Sequence, residues 1–424
     1  MERIVYNRAY DFLSKNDVLY RKQYGFRTNH STYMAVLDFV DEISKAIDND
    51  MYTIGIFMDL SKAFDTIDHG ILLQKLYHYG FRGVSNGWFC NHLSNRKQFV
   101  QYNSAKSPTE GMSCGVPQGS ILGPLLFILY MNDICYTSKL LNTILFADDT
   151  TVFYCHKNLS VLCDIMNNEL KEICNWFKAN KLSLNAKKTN LMFMGTSKQT
   201  SSIDNENVSI YLDGCILSRV HDAKFLGIII DENLMWKKQV DAICKTCSRN
   251  IGVLNKVKLF LPNSTMYQLY YTLVLPYLNY GLLLWGNVNK FYMNKIFRLQ
   301  KRALRTISNS SYLCPTKPLF KKYNVLNIFD LYTKEAAMFM YKYKCNMLPR
   351  SFDGYFTTNQ EIHQYNTRNK GDFNIPKRKS KFDSVFISGP KIWNGLPNNL
   401  KQANSLSQFK TSFKYHLLTS YDDV

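Results

Sequence analysis

The sequence predicts an α+β fold in which helical patterns dominate from about residue 237. Three observations carry this. Short β-rich apolar runs alternate with helical patterns as far as residue 236. Two of those runs close on each other as a tight hairpin, and from residue 237 onward a 3.6-residue periodicity takes over.

The elements follow in order. In residues 31–48, STYMAVLDFVDEISKAID, the residues Val36, Phe39, Val40, Ile43 and Ile47 share one helical face. MYTIGIFMDL (51–60) is a strand with Asp59 at its C-terminal end, and SKAFDTIDHGILLQKLYHYG then turns helical. KQFVQYN (97–103) alternates like a strand. GVPQGSILGPLLFILYMNDI (115–134) is a Gly/Pro turn leading into a helix, with Ser120 as N-cap. That helix is apolar nearly all round and therefore buried. TILFA and TTVFY form two strands joined by Asp148-Asp149, a hairpin with both acids at its tip. VLCDIMNNELKEICNWFKANK is helical, LSLNAKKTNLMFMG is a strand with a basic turn, and KFLGIIIDENLMW (224–236) closes the first half. The helices pack on one face of the sheet.

Beyond 237 come KKQVDAICKTCSRNIGVLNKV, PNSTMYQLYYTLVLPYLNYG and KFYMNKIFRLQKRALRTIS. In the last, Lys295, Arg298, Lys301, Arg302 and Arg305 line one face, opposite Ile296, Leu299, Ala303 and Ile307. Such a basic face is either simply solvated or a contact for nucleic-acid backbone. After residue 310 the sequence reads as Tyr-, Asn- and Lys-rich loop, until FISGPKIWNGLP and SLSQFKTSFKYHLLTSY supply a final helical pair.

Composition narrows the partners. The 424 residues are 46% hydrophobic and 14% aromatic, a globular and well-packed chain, and Lys+Arg 52 against Asp+Glu 33 leaves a net charge of +19. A globular protein this basic is expected to meet a polyanion, because each neutralised phosphate releases condensed counterions. The eleven cysteines form no framework and read as reduced thiols. Cys244 and Cys247 make a lone CxxC without the second ligand pair that zinc needs. MERIVYNRAYDF carries charges where a signal peptide has an apolar core. The longest apolar run, LYYTLVLPYLNYGLLLW (269–285), is interrupted by Pro276 and Asn279 and reads as a buried helix pair, not a membrane span. A membrane-surface role would rest on charge alone, with no strongly amphipathic anchor to support it.

The stretch ILFADDTTVF (144–153) asks why two acids interrupt an apolar strand pattern. Ionised carboxylates in such surroundings cost several kcal/mol unless a partner offsets them. Either the pair occupies an exposed turn, which suits Asp, or a cation draws both acids into use. Two magnesium ions about 4 Å apart can activate a 3′ hydroxyl and steady a leaving pyrophosphate, provided carboxylates from separate strand ends converge. Asp59 and Asp148 are the obvious pair, with Asp149 adjacent.

The ordered set MDLSKAFDTIDH, GVPQGSILGPLLFILYMNDI, FADDT, LSLNAKKT and KFLGIIID resembles the reverse transcriptases of non-LTR (LINE-type) retrotransposons, closest to the jockey-like group. QYGFRTNHST upstream matches that family's fingers segment, and WNGLP and SQFK recur downstream of such domains. The resemblance implies a right-hand polymerase: residues 1–230 as partial fingers and a palm with an antiparallel sheet, 231–310 as a helical thumb, and 311–424 as a C-terminal accessory region. It implies an RNA-directed DNA polymerase acting on an RNA template, a DNA primer and deoxynucleoside triphosphates, with two Mg²⁺ ions for which Mn²⁺ can substitute. No membrane is implied, and the setting is the nucleus and cytoplasm.

Residue by residue, Asp59, Asp148 and Asp149 match the catalytic metal ligands, with the Leu60 carbonyl as a further ligand. Phe64 matches the aromatic gate that excludes a 2′ hydroxyl, although core packing would also account for it. Gln118 and Gly119 match the turn that meets the incoming nucleotide. Lys188 matches a residue that protonates departing pyrophosphate, with Lys187 and plain solvation as alternatives. Phe225, Leu226 and Gly227 match the primer grip. Asp65 and Asp68 read as helix first-turn and surface acids. YDDV (421–424) mimics another reverse-transcriptase signature but reads as a frayed acidic tail.

The family carries an endonuclease and further fingers strands before this point, including a basic triphosphate clamp. Here no substitute for the clamp is found, since Arg27 belongs to a different motif. A truncated copy is therefore expected, and the alternative is an inactive nucleic-acid-binding remnant or a host-adopted protein. PKRKSK (376–381) is either a nuclear import signal or an ordinary basic loop.

Overall fold

Seven residues of strong β character, Tyr52–Met58, form the central strand on which the first half is built. We describe them from a computed structural model that covers residues 1–117, 119–203, 206, 208–362, 370–376 and 384–421. The chain folds as two compact units, residues 1–35 with 49–221, and residues 36–48 with 222–424.

In the first unit, β1 (Tyr52–Met58), β2 (Asn142–Phe146), β3 (Asp149–His156) and β4 (Asn190–Met194) make an antiparallel sheet in the order β2-β3-β1-β4. Two helices share a core with its Ile54, Ile56 and Met58. The first, Gly123–Met131, is buried from Leu125 to Met131, as its unbroken apolar run requires. The second, Leu159–Ala179, buries Leu162, Met166, Leu170, Ile173 and Phe177 at three- and four-residue spacing. It starts where the Asn158 side chain accepts the Val161 N–H at 3.1 Å. The α+β expectation holds.

Several elements differ from the sequence reading. Phe146 pairs with Asp149, so the hairpin tip is Ala147-Asp148, and Asp149 is the first residue of β3 rather than part of the tip. Helix does not follow β1 directly. Lys62 at φ +51° opens a single turn, Ala63–Asp65, and the helix His69–His78 waits for Asp68, whose carboxylate accepts the Ile71 N–H at 2.9 Å. Ser120 is not the N-cap residue, a position Leu122 occupies, although its hydroxyl still accepts the Gly123 N–H at 2.8 Å. KQFVQYN is two fragments, Lys97–Gln98 and Gln101–Tyr102, because pairing slips by one residue between them. The N-terminal segment, read only for the lack of a signal, is a helix from Glu2 to Lys15.

In the second unit, β5 (Asp222–Phe225) and β6 (Ile228–Asp231) form a hairpin. The helix Lys237–Val257 packs on β6, and Lys290–Ile307 and Asn263–Leu273 pack in turn on that helix. The 269–285 run is divided among three short helices instead of two, since Pro276 and Gly281 interrupt it. The stretch read as loop after residue 310 holds a 17-residue helix, Ile328–Lys344, capped by the Asn327 side chain and buried through Leu331, Ala336, Phe339 and Met340. The end of the chain is not frayed at Tyr421. Its hydroxyl accepts the Asn327 N–H at 3.0 Å and donates to Asp330. Residues 422–424 and the basic run 377–381 lie outside the described residues.

Candidate active site

The site is built at one end of β1. Met58 faces Thr150 on β3, and Phe57 faces Asn190 on β4. One and two residues further along these antiparallel ladders, Asp59 emerges beside Asp149 on one side and Lys188 on the other. The geometry agrees, with Lys188 Nζ 3.9 Å from Asp59 Oδ2. The turn before β4 fixes this end of β1. Asn185 N–H donates to the Asp59 carbonyl at 2.9 Å, and Ser61 N–H to the Ser183 carbonyl at 3.0 Å. Leu60, between them, bridges Leu184 and is buried.

The electrostatics mark Asp149. It keeps an open side toward solvent, yet surrounding protein removes part of its carboxyl's water, and the charges of Asp148 and Asp59 add to the effect. Together these raise its pKa from 3.8 to about 6. Three carboxylates thus crowd one strand end, and Lys188 answers only part of their charge. Among the described residues, no three His, Cys, Asp or Glu side chains form a ready-made metal cage. An open acid cluster of this kind suits a hard cation such as magnesium, which keeps water and phosphate in its shell and takes only one or two protein carboxylates.

Phe64 lies in the same unit. Its ring stacks on Phe127 at 4.2 Å between centroids and meets the edge of Phe26 at 6.1 Å. It is half-buried, so it packs the core with one part and leaves another open. Phe26, exposed and at φ +55°, was missed by the sequence reading, and its place in the GFR run next to Gly25 was the available signal. The Gly/Pro turn is pinned to this neighbourhood, since Val116 N–H donates to the Phe64 carbonyl at 2.9 Å. Gly119 then takes φ +84° with open space where a side chain would stand, and Gln118 lies outside the described residues. Asp68 is a helix cap paired to Lys181 at 2.6 Å, a structural role as read. Arg27 is an internal strut, donating to the Tyr20 carbonyl at 2.7 Å.

Residues 1–230 match the reverse transcriptase (RNA-dependent DNA polymerase) family. The chain belongs to the reverse transcriptase family. It is 29% identical over 353 residues to the probable RNA-directed DNA polymerase from transposon BS of Drosophila melanogaster, a match covering 80% of this chain and 38% of that protein. To the RNA-directed DNA polymerase from mobile element jockey of the same organism it is 26% identical over 353 residues, covering 80% and 37%. The chain thus spans well under half the length of these relatives. Among solved structures, telomerase from Candida albicans in complex with a TWJ fragment of telomeric RNA aligns at a TM-score of 0.42 and 12% identity, over 75% of this chain and 58% of that one.

The residues expected at the primer grip and on the basic helix belong to the second unit. Leu226 (φ +46°) and Gly227 (φ +83°) are the turn between β5 and β6, a two-residue turn with both φ positive. The Tyr280 hydroxyl donates to the Leu226 carbonyl, while Phe225 is buried against Phe39 at 5.7 Å. On the helix Lys290–Ile307, Ile296, Ala303, Leu304 and Ile307 are buried. Lys295 pairs with Asp241 at 3.4 Å, Lys301 lies over Phe297 at 4.1 Å, and Arg305 donates to the Cys314 carbonyl at 2.9 Å. Arg298 and Arg302 are exposed.

Proposed function

We propose that this chain is an RNA-directed DNA polymerase of the non-LTR retrotransposon type, extending a DNA primer along an RNA template with deoxynucleoside triphosphates. The observation that carries the reading is the meeting of Asp59, Asp149 and Lys188 at one end of the sheet, with Asp148 on the adjoining turn. Members of the family generally use divalent metals. Asp59, Asp148 and Asp149, with the Leu60 carbonyl, would hold two Mg²⁺ or Mn²⁺ ions, which lower the pKa of the primer 3′ hydroxyl and neutralise the triphosphate. The sheet then serves as palm and the helices between 237 and 307 as thumb.

The chain's own groups do the rest. Without cations Asp149 is held near a pKa of 6, and it has to be ionised to hold one. Lys188, within 3.9 Å of Asp59, is positioned to give a proton to departing pyrophosphate. Phe64, backed by Phe127, stands as the wall against a 2′ hydroxyl, and Gly119 lets backbone approach a flat base. The exposed Arg298 and Arg302 contact nucleic-acid backbone, and the Leu226-Gly227 turn bears on the primer. No helix among the described residues is long and apolar enough to cross a membrane. The work is proposed to take place in the nucleus and cytoplasm, where RNA template and DNA meet.

Primer extension on an RNA template, in magnesium, tests the reading. Wild type is expected to extend the primer and Asp148→Ala to lose at least 100-fold, roughly the scale of removing one catalytic group. If neither extends while both bind primer-template with the same salt dependence, the chain is a nucleic-acid binder without polymerase activity.

A further inference from the structure

The catalytic turn is strained, and something must hold it. Ala147 sits at φ +54°, a conformation that two-residue hairpins normally assign to Gly, Asn or Asp. The segment 22–25 lies along β2 immediately beneath it. Tyr24 N–H donates to the Leu145 carbonyl at 2.7 Å, and Leu145 N–H to the Lys22 carbonyl at 3.0 Å, a parallel bridge centred on Gln23. Gln23 is fully buried. Its Oε1 accepts the Gly25 N–H at 2.8 Å and the Ala147 N–H at 3.3 Å. Two donors converging on one atom fix which end of the amide points at the turn. The other end, Nε2, is buried with no hydrogen-bond partner among the described residues. A buried amide that leaves its own donor unmet in order to serve two N–H groups is held there by what it accepts. Gly25 completes the fit, since a Cβ there would stand 2.2 Å from Ala147 N.

We propose that Gln23 is a positioning residue for the catalytic turn: by accepting the Ala147 N–H it holds the backbone conformation that presents Asp148 and Asp149 to divalent cations. This rests on the reading of those acids as metal ligands. Gln23 touches no substrate, so its effect is exerted through the turn. Asn, one methylene shorter, cannot span the distance, and Met fills the volume without an acceptor. Glu keeps an acceptor at the same reach in either protonation state.

The test is manganese binding to the full chain without nucleic acid, followed by the electron paramagnetic resonance signal of free Mn²⁺, with primer extension and metal-free melting run on the same samples. Gln23→Met and Gln23→Asn are expected to weaken manganese binding on the order of 10-fold, the scale seen when a group supporting metal ligands is lost, at a temperature where the metal-free variants are still fully folded despite a lowered melting temperature. Gln23→Glu is expected to return binding to within about threefold of wild type. If Gln23→Met does not fold, the smaller Gln23→Asn change carries the comparison. Wild-type affinity in Gln23→Met or Gln23→Asn overturns the proposal. So does a Glu variant no better than Met, a loss that merely tracks melting temperature, or a wild type that binds no manganese. Weakened binding that Glu rescues, in a protein that extends no primer, upholds the role of Gln23 while refuting the polymerase reading.

Discussion

Replacing Asp149 by Asn should stabilise the metal-free protein while disabling it. Its pKa is raised from 3.8 to about 6 by burial and then by Asp148 and Asp59. At about 1.4 kcal/mol per unit this caps the cost of its ionised form near 3 kcal/mol. Asp149 is exposed to water, and screening cuts that to about 1 kcal/mol. A carboxyl with a raised folded pKa costs nothing below its unfolded value of 3.8. The cost grows as pH climbs and is complete above about 6. Asn, the same shape without the charge, should therefore raise the melting temperature of this unit by about 2–4 °C at pH 8 in chelator. The gain should shrink steadily between pH 6 and 4. Added magnesium should raise the melting temperature of wild type more than that of the variant, because the cation stabilises the charges that Asn lacks. Thermal denaturation at pH 8, 6 and 5, with and without magnesium, reads all of this. An Asn variant no more stable than wild type at pH 8, or equally favoured at pH 5, would refute the reasoning.

Gly25→Ala should destabilise the first unit by about 1–3 kcal/mol, read as a lowered melting temperature, because its Cβ meets Ala147 N at 2.2 Å and backbone has to move. Replacing Arg298 and Arg302 together by Gln should lower the slope of log affinity for primer-template against log salt by about one for each charge removed, equally across sequences. Under the proposed gate role of Phe64, whose ring stacks on Phe127 at 4.2 Å, Phe64→Val should raise ribonucleotide incorporation on the order of 10-fold relative to deoxynucleotide, measured by competition in primer extension.

Much of the first unit was legible because its signals are local. The β1 run, the apolar helix after Gly123 and the spacing of Leu162, Met166, Leu170 and Phe177 each announce an element and its buried face. Asp59, Asp148 and Asp149 could be singled out because acids interrupt apolar runs at a cost that calls for a reason. What was not legible depends on contacts distant in sequence. The register that moves Asp149 off the hairpin tip is set by pairing with β1 and by a strap more than a hundred residues away, and no local pattern encodes either. The helix Ile328–Lys344 escaped because Tyr and Lys interrupt its apolar face, although the Asn327 cap and Ala336-Ala337 were readable. Tyr421 looked like part of an acidic tail because its partners, Asn327 and Asp330, lie about ninety positions earlier.

The site concentrates features that ordinary folding avoids. A non-glycine residue holds positive φ at Ala147, a buried amide donor on Gln23 meets no acceptor among the described residues, and three carboxylates crowd one strand end. Any one of these could persist as tolerated strain, but they adjoin each other, and local rules tend to fail together where function demands it. The sheet order explains how. Because β1 is central, with β3 on one side and β4 on the other, its end is where residues from both neighbours meet. An acid from β3 and a lysine from the turn before β4 reach Asp59 without any insertion or long loop. An edge strand would offer a neighbour on one side only. The central place of β1 therefore does more than bury Ile54 and Ile56, since it brings an acid and a base to the same carboxylate. The price is the strained turn, which Gln23 and Gly25 hold in place.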